Sequence, residues 1–434
     1  MGKIVFIGAG SIIFVKNLIG DCLCTPALQN FEYALLDIDK EKLHLSEKML
    51  QNLNENINGG RAQIRAYDDQ RQALTDADYV VNAIQVGGYS VAKRDFEIPE
   101  KYGLKQTYAD TLGIGGIFRG LRTIPVMLGI ARDMEELCPN AWLLNYTNPM
   151  AIVTAAMLKG TGIRTVGLCH SVQVCARDLL AALDMPTNDI NYHIAGINHQ
   201  AWLLKVSHKG EDLYPEIRRR IQAGQGDPAD KVRYEVLKHF GYYVTESSQH
   251  TAEYTPYFLK NKYPQLEAEL GIKTKMYLEW GDSQTHYWEE ARDTLVHNAT
   301  ITHTRTEEYA SYIMEAMETG KPYKIGGNVL NNGLIDNLPQ NSCVEVPCLV
   351  DANGISPCKV GMLPAQCAGL NVTNINVHEL VVQAALTGRV EDVYYAAMLD
   401  PHTAAELSLD DITKMCDEML AENKHWLPMF NRSN

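Results

Sequence analysis

KIVFIGAGS, residues 3–11, sets two glycines directly behind an unbroken apolar run. Such a run, with no polar alternation, is the pattern of a parallel strand buried on both faces. Gly8 and Gly10 would let the backbone approach a pyrophosphate closely, and a helix starting near Ser11 would add amides and a favourable dipole. The third glycine of the usual fingerprint falls at Ile13, so the pattern is incomplete. A second run, EYALLDID (32–39), places Asp37 where a carboxylate hydrogen-bonds the adenosine ribose and selects NAD over NADP. Gly87 follows a further run, YVVNAI (79–84), and adds a close backbone approach on the same sheet edge. Strand, glycines, helix and carboxylate in this order point to NAD. A tight strand–helix turn with a surface carboxylate is the competing reading.

Outward from this stretch, strands and helices alternate. Helices are expected at 12–24 and 40–54, and further strands at AWLLNY (141–146) and RTVGLC (164–169). The alternation predicts βαβ units and an α/β, Rossmann-like doubly wound sheet of the lactate/malate dehydrogenase kind over residues 1–190. After about residue 190 the rhythm changes. A helical stretch rich in Arg and Tyr (214–240) and a turn-rich region (326–360) predict a C-terminal α/β domain, 191–434, for substrate, metal and subunit contacts. Residues 224–230, with two glycines and a proline, read as a loop.

Composition narrows the class. A net charge of −14 argues against a general nucleic-acid binder, which needs a basic face. Ten scattered cysteines, with Cys22/Cys24 and Cys343/Cys348 the only close pairs, suggest reduced thiols and a cytoplasmic protein. The N-terminus enters a strand at once and leaves no room for a signal peptide, and Phe6 stands where a myristoylation signal needs Ser or Thr. No apolar run is expected to reach the roughly 20 residues of a membrane span.

Polar and nucleophilic residues gather at the ends of later strands, where open α/β sheets place their chemistry. Asn145-Tyr146-Thr147-Asn148-Pro149 follows one run, Cys169-His170 the next, and Gly196-Ile197-Asn198-His199 comes 30 residues after Cys169. A thiolate and an imidazole brought together could hold a divalent metal and leave positions open for substrate. A lone buried thiol and a hydrogen-bonded histidine are the plainer alternative.

Gly8-Ala9-Gly10-Ser11, Thr147-Asn148-Pro149-Met150, Cys169-His170-Ser171-Val172 and Gly196-Ile197-Asn198-His199 together resemble the successive motifs of glycoside hydrolase family 4. The Cys-His-Ser-Val form, with TESSQHTAEYTPYF, GNVLNNGLIDNLPQ and DPHTAAEL further on, most resembles its α-galactosidases. The resemblance spans nearly the whole chain. It implies NAD and Mn2+ as cofactors and an exception to two-carboxylate glycoside hydrolysis. In that family NAD+ oxidises the sugar 3-hydroxyl, a base takes the C2 proton, the C1 substituent leaves, water adds, and C3 is reduced again.

The resemblance further implies residue roles. Cys169 and His199 are the metal ligands, although ligand softness alone would pair the thiolate with zinc or iron. Tyr254 is the base, with Tyr257 its neighbouring rival. Asp110 is a candidate acid for the leaving group, and His170 contacts the sugar or shares that role. Asn148 hydrogen-bonds a sugar hydroxyl, and Arg119 or Arg122 contacts substrate or cofactor unless it pairs between helices. His170 stands where the phospho-sugar hydrolases carry Asp or Asn, so an unphosphorylated α-galactoside is expected, with α-glucosides and α-uronides as alternatives. A homodimer or homotetramer is implied as well. A malate-type dehydrogenase and a non-catalytic NAD sensor are the rival classes.

Overall fold

The computed structural model describes residues 1–430, seven of them (282, 284–287, 291 and 293) by backbone alone. Its centre is one continuous sheet. Six parallel strands, β1 (Lys3–Ile7), β2 (Glu32–Leu36), β3 (Gln63–Tyr67), β4 (Tyr79–Asn82), β5 (Trp142–Asn145) and β6 (Arg164–Gly167), lie in the order β3-β2-β1-β4-β5-β6. This is the doubly wound order, with its topological switch between β1 and β4. β1 is buried along its whole length, as an all-apolar run requires.

The sheet then turns antiparallel. The remaining strands are β7 (Ile190–Ile197), β8 (Gln200–His208), β9 (Glu211–Asp212), β10 (Tyr243–Val244), β11 (Tyr323–Leu330), β12 (Cys343–Asp351) and β13 (Gly354–Pro357). Beyond β6 the order is β11-β12-β7-β8-β10, with β13 beside β12 and β9 beside β8. The region expected to be turn-rich, 326–360, therefore carries two long strands and a short one. Its glycines signal close packing rather than turns: a Cβ on Gly326 would lie 2.6 Å from Val172 Cγ1. The helical stretch 214–240 divides into Tyr214–Gln222 and Lys231–Phe240, because Gly224, Gly226 and Pro228 interrupt it.

Helix Gly113–Leu137 departs from the reading that no apolar run reaches membrane length. By length and composition it is long and apolar enough to span a bilayer, yet 78% of its most apolar window is buried inside the fold. It packs against helices Met150–Gly160 and Ala365–Thr387 as a core element. Arg122, on this helix, makes the inter-helix pairing that was the alternative to a ligand contact. Its guanidinium meets Asp95 of helix Gly88–Lys101 in a buried fork, with N···O distances of 2.9 and 2.6 Å, and donates to Asn423 at 3.0 Å. Removing one partner of such a pair leaves the other charge buried and unpaired. Arg122→Met is expected to lower stability by about 3–5 kcal/mol. Urea unfolding measures this, and an unchanged midpoint would contradict the pairing.

Candidate active site

The carboxyl edge of the parallel strands carries the nucleotide-type turn. Gly8 has φ +95°, and a Cβ there would sit 2.7 Å from the Ala83 carbonyl oxygen of the neighbouring chain segment. Only glycine leaves that approach open. Gly10 N–H donates to Asp37 Oδ2 at 2.7 Å, and Asp39 N–H donates to Asp37 Oδ1 at 2.9 Å. Asp37 thus ties the glycine turn to the end of β2 and faces the switch point. Ile38, 96% exposed, offers an apolar surface beside it. Ser11 precedes helix Ile12–Cys24 with its hydroxyl making no cap hydrogen bond, and Gly87 opens helix Gly88–Lys101 on the adjoining strand.

Cys169 stands two residues past β6, at the N-terminus of helix His170–Ala182. His199 occupies the two-residue turn between β7 and β8 with φ +61°, a conformation non-glycine residues seldom adopt. Glu246, also at positive φ, is carried to the same place by β10, which pairs Val244 with Trp202 of β8. One ligand atom from each of Cys169, His199 and Glu246 lies within 4.8 Å of the others. His199 Nε2 is 3.5 Å from Glu246 Oε2, while His199 Nδ1 is buried with no partner.

Burial draws the His199 imidazole down to about 4, so the ring is neutral and free to act as a donor to a cation. Burial opposes ionisation of Glu246, but its carboxyl is held below the usual range, with the charge of the protonated His250 acting on it. Burial pushes the Cys169 thiol up, with Glu345 and Glu246 adding to it, and Ser171 Oγ lies 3.1 Å from the sulfur. A divalent cation would reverse that push, since a coordinating thiol is deprotonated. Sulfur, neutral imidazole and carboxylate form a donor set suited to a divalent transition metal. Sequence spacing did not single out Glu246. It lies in the stretch TESSQHTAEY, and only the β10–β8 pairing sets it beside the His199 turn.

A second cluster adjoins the first. His250 Nε2 is 3.3 Å from Asp110 Oδ1, and Asn148 Nδ2 donates to Asp110 Oδ2 at 3.1 Å. The His250 ring stacks on Tyr108 at 4.0 Å and meets His199 edge-on at 4.6 Å. Burial alone would lower His250, but Asp110 and Glu246 outweigh it and raise the imidazole to about 9. Tyr254 is 2% exposed, and its ring centre is 6.0 Å from that of His199. Burial raises its phenol well above the usual value, with Thr111 on the side favouring the phenolate. Glu253 accepts from the backbone N–H groups of Thr107, Tyr108 and Ala109 at 2.9, 3.2 and 3.1 Å, fixing the loop that carries Asp110. Tyr257, the rival of Tyr254, is exposed and lies on Phe240.

The structure thus gathers Cys169, His199, Tyr254, Asn148 and Asp110, and adds Glu246 and His250. His170 follows Cys169 directly and is paired with Glu308, its Nε2 2.6 Å from Glu308 Oε2, and Tyr146 also donates to Glu308. Arg119 is buried with its guanidinium 5.1 Å from the centre of the Tyr277 ring, and its charge is felt at Asp110.

A doubly wound sheet with a glycine turn at its switch point and a thiol–imidazole–carboxylate cluster on the same edge is the plan of an α/β enzyme. Residues 3–185 match the family 4 glycosyl hydrolases, and residues 194–403 match the C-terminal domain of that family. The chain belongs to glycosyl hydrolase family 4. It is 57% identical to an alpha-galactosidase of Bacillus subtilis (strain 168) over 432 residues, 99% of this chain and 100% of that one. To an alpha-galactosidase of Rhizobium meliloti (strain 1021) it is 35% identical over 441 residues, covering 99% and 89%. The crystal structure of a 6-phospho-alpha-glucosidase from gut microorganisms, in complex with NAD and Mn2+, superposes with a TM-score of 0.83 at 21% identity, over 98% of this chain and 99% of that one.

Proposed function

We propose that the chain is an NAD- and divalent-metal-dependent α-galactosidase that hydrolyses unphosphorylated α-galactosides such as melibiose. The observation that carries the chemistry is the Cys169–His199–Glu246 cluster beside Tyr254, on the sheet edge that also holds the Gly8 turn. The choice of sugar is supported by 57% identity along the full length of an alpha-galactosidase. NAD and Mn2+ are supported by the fit of the residues to both, and by the complex solved for the 6-phospho-alpha-glucosidase.

In this reading Cys169, His199 and Glu246 hold the cation, while the Gly8–Ser11 turn and Asp37 hold the dinucleotide. Bound NAD+ provides a reversible hydride acceptor for sugar C3, and the bound cation provides the positive charge that acidifies the C2 proton. Tyr254 Oη, as the phenolate that a bound cation would favour against burial, would take that proton and later return one. Asp110, positioned by Asn148 and by the backbone that Glu253 anchors, pairs with the protonated His250, and that pair serves the leaving oxygen, with His170 contacting the sugar. Asn148 can turn its amide from Asp110 to a sugar hydroxyl.

Division of the chain near residue 190 is part of the same proposal, supported by family matches ending at 185 and starting at 194. So are a cytoplasmic location and homo-oligomeric assembly.

His170 is already matched by Glu308, so a sugar 6-phosphate placed there would meet a carboxylate. With NAD+, Mn2+ and a thiol present, kcat/KM for p-nitrophenyl α-galactoside is expected to exceed that for its 6-phosphate by about 10²-fold or more. α-Glucosides and α-galacturonides complete the comparison. A preference for any 6-phosphate would overturn the reading of His170, and absence of all glycosidase activity would overturn the proposal.

A further inference from the structure

Cys169 and His199 are held apart by two strands to which neither belongs. In the order β6-β11-β12-β7, Cys169 follows β6 and His199 follows β7. What joins β11 to β12 therefore governs how far apart the two ligands stand. Asn328 of β11 lies opposite Gly167 of β6 and opposite Glu345 of β12, and Glu345 lies opposite Gly196 of β7. The register thus runs in one line across all four strands, from just before Cys169 to just before His199.

Side chains reinforce that line. Asn328 Nδ2 donates to Glu345 Oε1 at 2.9 Å and lies 3.3 Å from the Gly167 carbonyl oxygen, which it also serves. The Asn198 amide, in the His199 turn, is near enough to the carboxylate to favour its ionised form. Asn198, Asn328 and Glu345 are each at most 1% exposed. Glu345 Oε2, Asn328 Oδ1 and both polar atoms of Asn198 nevertheless make no hydrogen bond of normal geometry. An apolar filler would avoid the cost of burying these groups. Glu345 is also near enough to Cys169 for its charge to bear on the thiol.

We infer that Glu345, acting through Asn328 and the Asn198 turn, is a positioning residue that sets the spacing of the Cys169 and His199 metal ligands. This rests on the metal reading above. Groups that orient metal ligands from behind typically change affinity 10- to 100-fold when removed.

Cobalt(II) is the probe. The full-length protein, freed of metal by chelation, is titrated with Co2+ while thiolate-to-cobalt absorption is followed. Glu345→Leu is expected to weaken cobalt binding about 10- to 100-fold and to shift the thiolate band. Glu345→Gln, whose carbonyl still accepts from Asn328, is expected to bind nearly as the parent does. NAD+ affinity and unfolding midpoint report whether each variant is folded. Should Glu345→Leu not fold, Asn198→Ala tests the same line from the turn side, with about a 10-fold loss expected. Wild-type affinity and spectrum in Glu345→Leu, or in Asn198→Ala where that variant is the one tested, would overturn the inference. Equal losses in Glu345→Leu and Glu345→Gln would overturn the route through Asn328. A parent protein that takes up no cobalt would overturn the metal reading itself, and this inference with it.

Discussion

Tyr254→Phe is expected to lower turnover by about 10²–10⁴-fold while NAD+ still binds. The substitution removes one oxygen from a ring that is 2% exposed and already packed, so the fold has little to adjust. What it removes is the hydroxyl of a buried ring whose centre lies 6.0 Å from that of His199. If Tyr254 Oη exchanges the C2 proton with solvent during each turnover, hydrolysis in D2O gives galactose carrying deuterium at C2. The Phe variant loses that exchange together with cleavage. A glycosidase working through two carboxylates leaves C2 untouched. A malate-type dehydrogenase accumulates NADH, whereas here NAD+ is required without net conversion. NMR of the product after full turnover in D2O decides between them: hydrogen alone at C2 would sink the role of Tyr254.

Where the sequence was legible, burial was the reason. β1 and β2 are covered on both faces and read as uninterrupted apolar runs, so their order and the turn after Ile7 could be placed from composition alone. β3 escaped notice because it is the edge strand, and QIRAY is exposed at alternate residues. The hairpin of β11 and β12 was hidden by the glycines that let Val172 pack onto it. The helix Gly113–Leu137 shows the converse failing, since hydropathy records burial without saying whether protein or lipid does the burying.

Within the site, Cys169 and His199 stand out because each follows a strand that reads as an apolar run. Glu246 also lies two residues past a strand, but β10 has only two residues and leaves no such run, and His250 and Glu308 follow no strand. Their partners come from antiparallel pairing and from loops far off in the chain, as with His170 and Glu308, which are separated by 138 positions. A carboxylate or imidazole in a polar stretch has no local pattern that tells a ligand from a solvated side chain. The strained backbone at His199 and Glu246 is the three-dimensional sign that composition lacked.

Cys169→Ser is expected to have an equally large effect through the other half of the site. Serine is isosteric and, at the N-terminus of helix His170–Ala182, a favourable capping residue, so the helix should be at least as stable as before. Its hydroxyl is a far weaker acid than a thiol and does not supply an anionic donor at neutral pH. In the proposed site only His199 and Glu246 then remain to hold the cation. A cation that stabilises developing charge at the sugar contributes several kcal/mol, and each ~1.4 kcal/mol is a factor of ten in rate. The expected loss in kcat/KM is therefore about 10³-fold or more. The variant should unfold at the same midpoint as the parent, bind NAD+ normally, and retain little manganese after dialysis. Exhaustive chelation of the parent should reproduce the loss of activity, and readdition of Mn2+ should restore the parent but not the variant. Full activity in Cys169→Ser, or activity indifferent to chelation, would remove the cation from the chemistry and leave the Cys169 sulfur as a packing group.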